Sequence, residues 1–285
     1  MVMIVYILII LSSATQSATT KLFHRNCSNS AVFNVIKSCT ALVFLALIAA
    51  FGFTFHLPTM LFGFSYGICL CISMYAGYQA LCRGPMALTS MLVSFSVVIP
   101  LIWGITVGNE ILKVIQYPAL ALLLLAIILI NADKMKERGK KPTNYGVWLL
   151  FVGITFVCNG ICSILQKRHQ TLYPEAYSPE FMLFAMLLCS VIFSISAFSK
   201  ISPKKLIATK GKRYGVLSGL ANGIANFLTL VLAGMENASV LFPIISAGTI
   251  LASLLCGRLF FQEKLKANHY VALASGIAAV VLLKL

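Results

Sequence analysis

The sequence predicts an all-α membrane protein of ten transmembrane helices in two inverted five-helix repeats. Three observations carry that prediction. Of the 285 residues, 60% are hydrophobic and 10% charged, whereas a soluble domain carries about a quarter charged residues. A water-soluble core could not hide so much apolar surface, so lipid is the solvent. The apolar residues fall into ten runs, each close to the roughly 20 residues that a spanning helix needs. The two halves of the chain also carry matching signals at the ends of their helices.

The runs lie near 1–19, 31–51, 59–82, 84–107, 113–131, 146–166, 178–199, 213–234, 236–260 and 267–284. The first, MVMIVYILIILSSATQSATTK, has the apolar stretch and small residues of a signal peptide. It lacks the basic n-region, and it has a counterpart in the sixth run. Both carry amides and hydroxyls (Ser12, Ser13, Thr15 and Gln16; Asn159, Ser163 and Gln166) and then a lysine, Lys21 or Lys167. It reads as a spanning helix. The second run contains Lys37, close enough to its end to snorkel toward the interface. The third holds Gly63-x3-Gly67, Tyr75 and Gln79. The fourth contains Pro100 and the ninth Pro243, each removing one helical hydrogen bond and bending its helix. The fifth is followed by a basic linker at 132–145, which divides the chain into repeats at 1–131 and 146–285. The eighth carries Gly215-x3-Gly219-x3-Gly223, a small-xxx-small pattern suited to close helix contact.

Net charge is +15, yet its distribution speaks of topology. Links after odd-numbered runs hold 16 of the 22 Lys and Arg, and links after even-numbered runs hold three. The positive-inside rule puts the odd links in the cytoplasm and both termini outside. No nucleic-acid partner is expected. The nine cysteines mostly lie within apolar runs as small core residues. Cys158 and Cys162 share a helix face, but without a second ligand pair they imply no metal. No cofactor is expected.

The repeat shows most clearly where GITVGNEILKVIQY (104–117) is set over GRLFFQEKLKANHY (257–270). Gly104/Gly257, Glu110/Glu263, Leu112/Leu265, Lys113/Lys266 and Tyr117/Tyr270 agree at an offset of 153. At an offset of 156, GFSYGI (63–68) faces GLANGI (219–224). Five is odd, so the second half enters the membrane from the opposite side, which makes an inverted-topology repeat.

A small residue, an apolar helix and then G-x5-E-x-L closes the fourth and ninth runs, as Gly104…Glu110-Ile111-Leu112 and Gly257…Glu263-Lys264-Leu265. In this the chain resembles the EamA-type branch of the drug/metabolite transporter superfamily, over nearly its whole length and most clearly at 213–285. The resemblance implies two five-helix repeats around a central cavity lined by helices 1, 3, 4, 6, 8 and 9. It also implies transport of small metabolites, commonly export.

Glu110 and Glu263 are expected to accept hydrogen bonds from free N–H groups at the helix that follows each of them. The alternative is a gating or ion-coupling carboxylate. All seven acidic residues lie at or near helix ends and links, so none stands in the middle of a run to act as a proton relay or cation partner. That favours a neutral or zwitterionic substrate held by hydrogen bonds. The candidate contacts are uncharged: Gln16, Tyr75, Gln79, Asn159, Ser163, Asn222, Asn226 and Thr249. A buried amide needs partners, and Asn222, Asn226 and Thr229 share a helix face. The competing role for each is interhelical glue. GFSYG matches the G-x-S-x-G of serine hydrolases, but that motif needs a strand–turn–helix elbow and a His partner. The sole aspartate, Asp133, lies in a link, which excludes an aspartyl intramembrane protease.

The expected protein is a multi-pass transporter in a cell membrane, bacterial inner or plasma. It would export a small polar metabolite, such as an amino acid or related compound, by alternating access, as a monomer or homodimer among membrane lipid. The alternative is a multi-pass enzyme or accessory protein acting on lipid. An enzyme needs an acid, base, nucleophile or metal cluster within one half, and the sequence offers none.

Overall fold

A computed structural model describes residues 2–26, 30–84, 89, 92–136, 144–199, 211–261 and 267–284. These form ten α-helices and no strand: α1 Val2–Asn26, α2 Ser30–Ala49, α3 Leu57–Arg83, α4 Val98–Thr106, α5 Gln116–Lys136, α6 Tyr145–Leu172, α7 Ser178–Phe198, α8 Lys212–Met235, α9 Ala238–Phe261 and α10 Ala267–Lys284. Each falls on one apolar run, the fourth only over its second part. Glu263 and residues 137–143, half of the basic linker, lie outside the described residues.

The fourth run differs from expectation. The sequence predicts one helix over 84–107, but a 3₁₀ turn at Phe95–Val97 interrupts it before α4. Pro100 sits in the first turn of α4. It has no N–H to offer the carbonyl four residues back, which helps explain the local tightening. Pro243, by contrast, lies inside the continuous α9.

Helix starts follow local chemistry. Asn144 Oδ1 accepts the Val147 N–H at 3.3 Å ahead of α6. Gln116 Oε1 accepts the Lys113 N–H at 3.0 Å, closing the turn into α5. Tyr177, with φ 56°, and Pro179 set the entry to α7.

Among the described residues, seven helices are long and apolar enough to cross a membrane: α1, α2, α3, α6, α7, α8 and α9. The fourth, fifth and tenth runs supply shorter apolar helices, Leu92–Thr106, Gln116–Leu129 and Tyr270–Leu283. Outward-facing positions carry large apolar side chains, as at Ile4, Leu8 and Leu11 of α1, Val43 and Leu47 of α2, and Val271, Ile277 and Val281 of α10. A water-soluble helix would place charge there. The chain reads as a multi-pass membrane protein.

Two compact units divide the residues, 1–68 with 168–234, and 69–167 with 235–285. The boundaries fall inside α3 and α6, and each unit draws on both halves of the sequence. In the first, α2 packs against α7. The glycine series of α8 lies on α2: a Cβ on Gly219 would stand 2.5 Å from the Lys37 carbonyl oxygen, one on Gly215 would meet Ile36, and one on Gly223 would meet Phe44. Gly63 and Gly67 seat α3 on α7 in the same way, against Phe181 and Ala185. The small-xxx-small patterns are therefore contacts within the chain.

In the second unit α5 packs against α10, and α4 and α10 against α9. Ala126, Leu251 and Ala272 form one buried cluster. Ala80, Trp148 and Val152 form another, where Trp148 Nε1 donates to Thr89 Oγ1 at 2.9 Å.

Candidate functional site

The first unit holds a chain of polar side chains among apolar helices. Gln16 on α1 donates from Nε2 to Asn222 Oδ1 on α8 at 3.2 Å. Asn226, one turn further on α8, donates to the same oxygen at 3.1 Å and to the Asn222 carbonyl at 2.9 Å. Tyr66 on α3 donates its hydroxyl to Asn226 Oδ1 at 2.9 Å. Lys37 on α2 donates from Nζ to Gln16 Oε1 at 2.9 Å. Four helices thus meet through five side chains. Asn222 Nδ2 faces the Met186 sulfur at 3.9 Å, a weak acceptor. Ser218, one turn before Asn222, has a buried hydroxyl with no partner.

Three of the five, Gln16, Asn222 and Asn226, follow from the sequence. Lys37 does not snorkel as its place in the run suggests: its ammonium turns to the amide of Gln16. Nothing in the GFSYG pattern singles out Tyr66, whose hydroxyl reaches Asn226. Of that motif, Ser65 donates to its own helix at the Leu61 carbonyl, 2.8 Å away, and residues 57–83 are continuous helix.

The other candidates lie in the second unit. Ser73 donates to Asn159 Oδ1 at 2.6 Å, and Ser163 Oγ reaches the Asn159 carbonyl at 3.4 Å. Gln79 Oε1 accepts from Arg83 one turn on. Tyr75 is 62% exposed. Thr249 has its hydroxyl buried without a partner. These residues do not form one hydrogen-bonded group.

Glu110 caps a helix, but not the one expected. Its carboxylate accepts the backbone N–H groups of Ala238 and Ser239 at 2.7 and 2.9 Å and the Ser239 hydroxyl at 2.6 Å, all at the start of α9. The cause is the turn after α4. Asn109 adopts φ 50°, and the Glu110 N–H returns to the Gly104 carbonyl at 3.0 Å, so the side chain folds back toward α9. Any Cβ at Gly104 would run into that carboxylate, which gives the G-x5-E spacing a physical reason. Lys167 Nζ donates to the Glu236 carbonyl at 2.6 Å, two residues before α9.

A second polar group, missed in the sequence, lies in the first unit near the ends of α3, α6 and α7. Thr59 Oγ1 joins His56 Nδ1 at 2.8 Å to His169 Nε2 at 3.0 Å. One hydroxyl has one proton to give, so at least one of the two ring nitrogens must itself donate. His169 is fully buried beside the Phe181 ring at 4.8 Å, and His56 stacks on Tyr177 at 4.4 Å. Nearby, Glu180 Oε1 accepts the Thr54 N–H at 3.0 Å. The spacing of these residues in the sequence gave no sign that they meet.

Fold and side chains together define a multi-pass helical membrane protein with polar clusters set among apolar helices. The fold has counterparts, for 29 chains of known structure are similar to it. One, described only as "Crystal structure of protein", aligns over 96% of this chain and 94% of its own, with a TM-score of 0.76 and 13% identity. At that identity the likeness is one of fold. No family model and no curated protein matches the chain.

Proposed function

We infer that the protein is a transporter of a small polar metabolite, of the EamA type, working in the export direction by alternating access between two inverted repeats. The observation that carries this reading is the five-residue cluster of Lys37, Gln16, Asn222, Asn226 and Tyr66. Polar and ionisable groups at membrane depth are costly and mark substrate pathways. Helix packing supports the repeat. The pairs α2/α7, α4/α9 and α5/α10 are each equivalent by sequence position, and each pair packs together. A two-fold relation brings equivalent elements into contact at its axis.

Single cysteines at positions 16, 159 and 226, in a chain whose nine native cysteines are replaced, test the cycle. Each should be labelled from one face of the membrane at a time, with the accessible face shifting when substrate is added. Labelling that never shifts, together with no solute flux in proteoliposomes, rejects transport and leaves a lipid-directed enzyme or accessory protein. Comparing metabolites inside and outside overexpressing cells identifies the substrate and its direction.

A further inference from the structure

The hydrogen-bond inventory of the cluster is unbalanced toward donors. Every amide oxygen already accepts: Gln16 Oε1 from Lys37, Asn222 Oδ1 from Gln16 and Asn226, and Asn226 Oδ1 from Tyr66. An ammonium carries three N–H groups, and among the described residues Lys37 donates to Gln16. Asn222 Nδ2 has the Met186 sulfur, and the buried Ser218 hydroxyl has no partner.

Charge is unbalanced in the same sense. The first unit contains two acidic residues, Glu175 and Glu180, both between α6 and the first turn of α7. Glu180 holds the N–H and hydroxyl of Thr54, which lies beyond the far end of α2. Lys37 lies about three turns before that end, about 18 Å along the helix. A cation placed among apolar helices calls for an anion, and this unit supplies none at its level.

We propose that Lys37, with Gln16 and Asn222, binds the carboxylate of a small monocarboxylate anion, and that this anion is the transported substrate. The proposal rests on reading the cluster as the substrate site. One positive charge matches one carboxylate, whereas a phosphate dianion would leave a net negative charge. The ammonium of a zwitterion would add a second positive charge near Lys37, in a unit whose two carboxylates lie elsewhere. The expectation of a neutral or zwitterionic substrate gives way to an acid without a free amine.

The test is thermal unfolding of the full-length protein in detergent with lactate, pyruvate or 3-hydroxybutyrate. Their amides, chloride and sulfate at matched ionic strength serve as controls. A ligand bound by the folded state raises Tm. The carboxylates should do so and the controls should not. In Lys37→Gln their apparent affinity should fall about tenfold or more, the weight of one charge-assisted hydrogen bond. Lys37→Arg should keep the preference for carboxylate over amide. A second measurement needs no variant: the carboxylates, and not the amides, should slow acylation of Lys37 by a water-soluble anhydride, read by mass spectrometry.

No carboxylate response, an equal response to sulfate or chloride, or an unchanged response in Lys37→Gln overturns the site. A Lys37-dependent shift without carboxylate flux in proteoliposomes sinks transport and keeps the site. Flux of the amides at the carboxylate rate, unchanged in Lys37→Gln, keeps transport and sinks the site.

Discussion

Two donors converge on Asn222 Oδ1, from Gln16 and from Asn226. Interhelical hydrogen bonds in membrane proteins average about 0.6 kcal/mol, because the separated helices find other partners. Asn222→Ala removes the common acceptor, so desolvation of the groups left behind adds to that value. The expected loss is about 1–2 kcal/mol, measured as a lower denaturation midpoint in detergent; a loss within 0.3 kcal/mol would mean the donors re-pair at once. The amides were legible in the sequence because a polar residue in an apolar run is conspicuous. Lys37 was visible too, but its direction was not. A lysine near a helix end can snorkel or turn inward, and the choice depends on Gln16, a residue of another helix.

At the scale of elements, the G-x5-E signal is one device. Gly104 leaves room, the turn at Asn109 reverses the chain, and Glu110 holds the first N–H groups of α9. Removing a charged cap of this kind should cost about 2–3 kcal/mol. Gly104→Ala should cost a similar amount in the native protein, by displacing the carboxylate. In a Glu110→Ala background the same alanine should cost little. A double-mutant cycle of denaturation midpoints reads this coupling, and additive losses would show that glycine serves something other than the cap. Helices and their approximate ends were legible from the apolar runs. The 3₁₀ turn at Phe95–Val97 was not, since Pro100 announces a disturbance without saying which neighbouring residues absorb it. The partner of Glu110 was hidden as well, because local sequence names the carboxylate but not the helix brought to it.

For the whole molecule, the inverted repeat makes a quantitative demand. If the halves are equivalent, Glu263→Ala should lower the denaturation midpoint by an amount comparable to Glu110→Ala, although the two lie 153 positions apart. A neutral Glu263→Ala beside a damaging Glu110→Ala would break the equivalence. Sequence made the number of helices and the sites of internal likeness readable. It did not reveal that the polar candidates divide between two compact units, since that division cuts through α3 and α6 rather than following the linker.

The bond from Ala238 to Glu110 spans 128 residues. At a synthesis rate of about 5–20 residues per second, the wait between making the acceptor and making its donor is about 6–26 s. Likewise α2 waits for α7, and longer still for the glycines of α8. The nascent first half therefore sits in the bilayer with its closing contacts unmade, and final assembly is deferred until translation is nearly over. A ribosome halting after the fifth helix would leave a product that cannot complete itself, a natural substrate for membrane quality control.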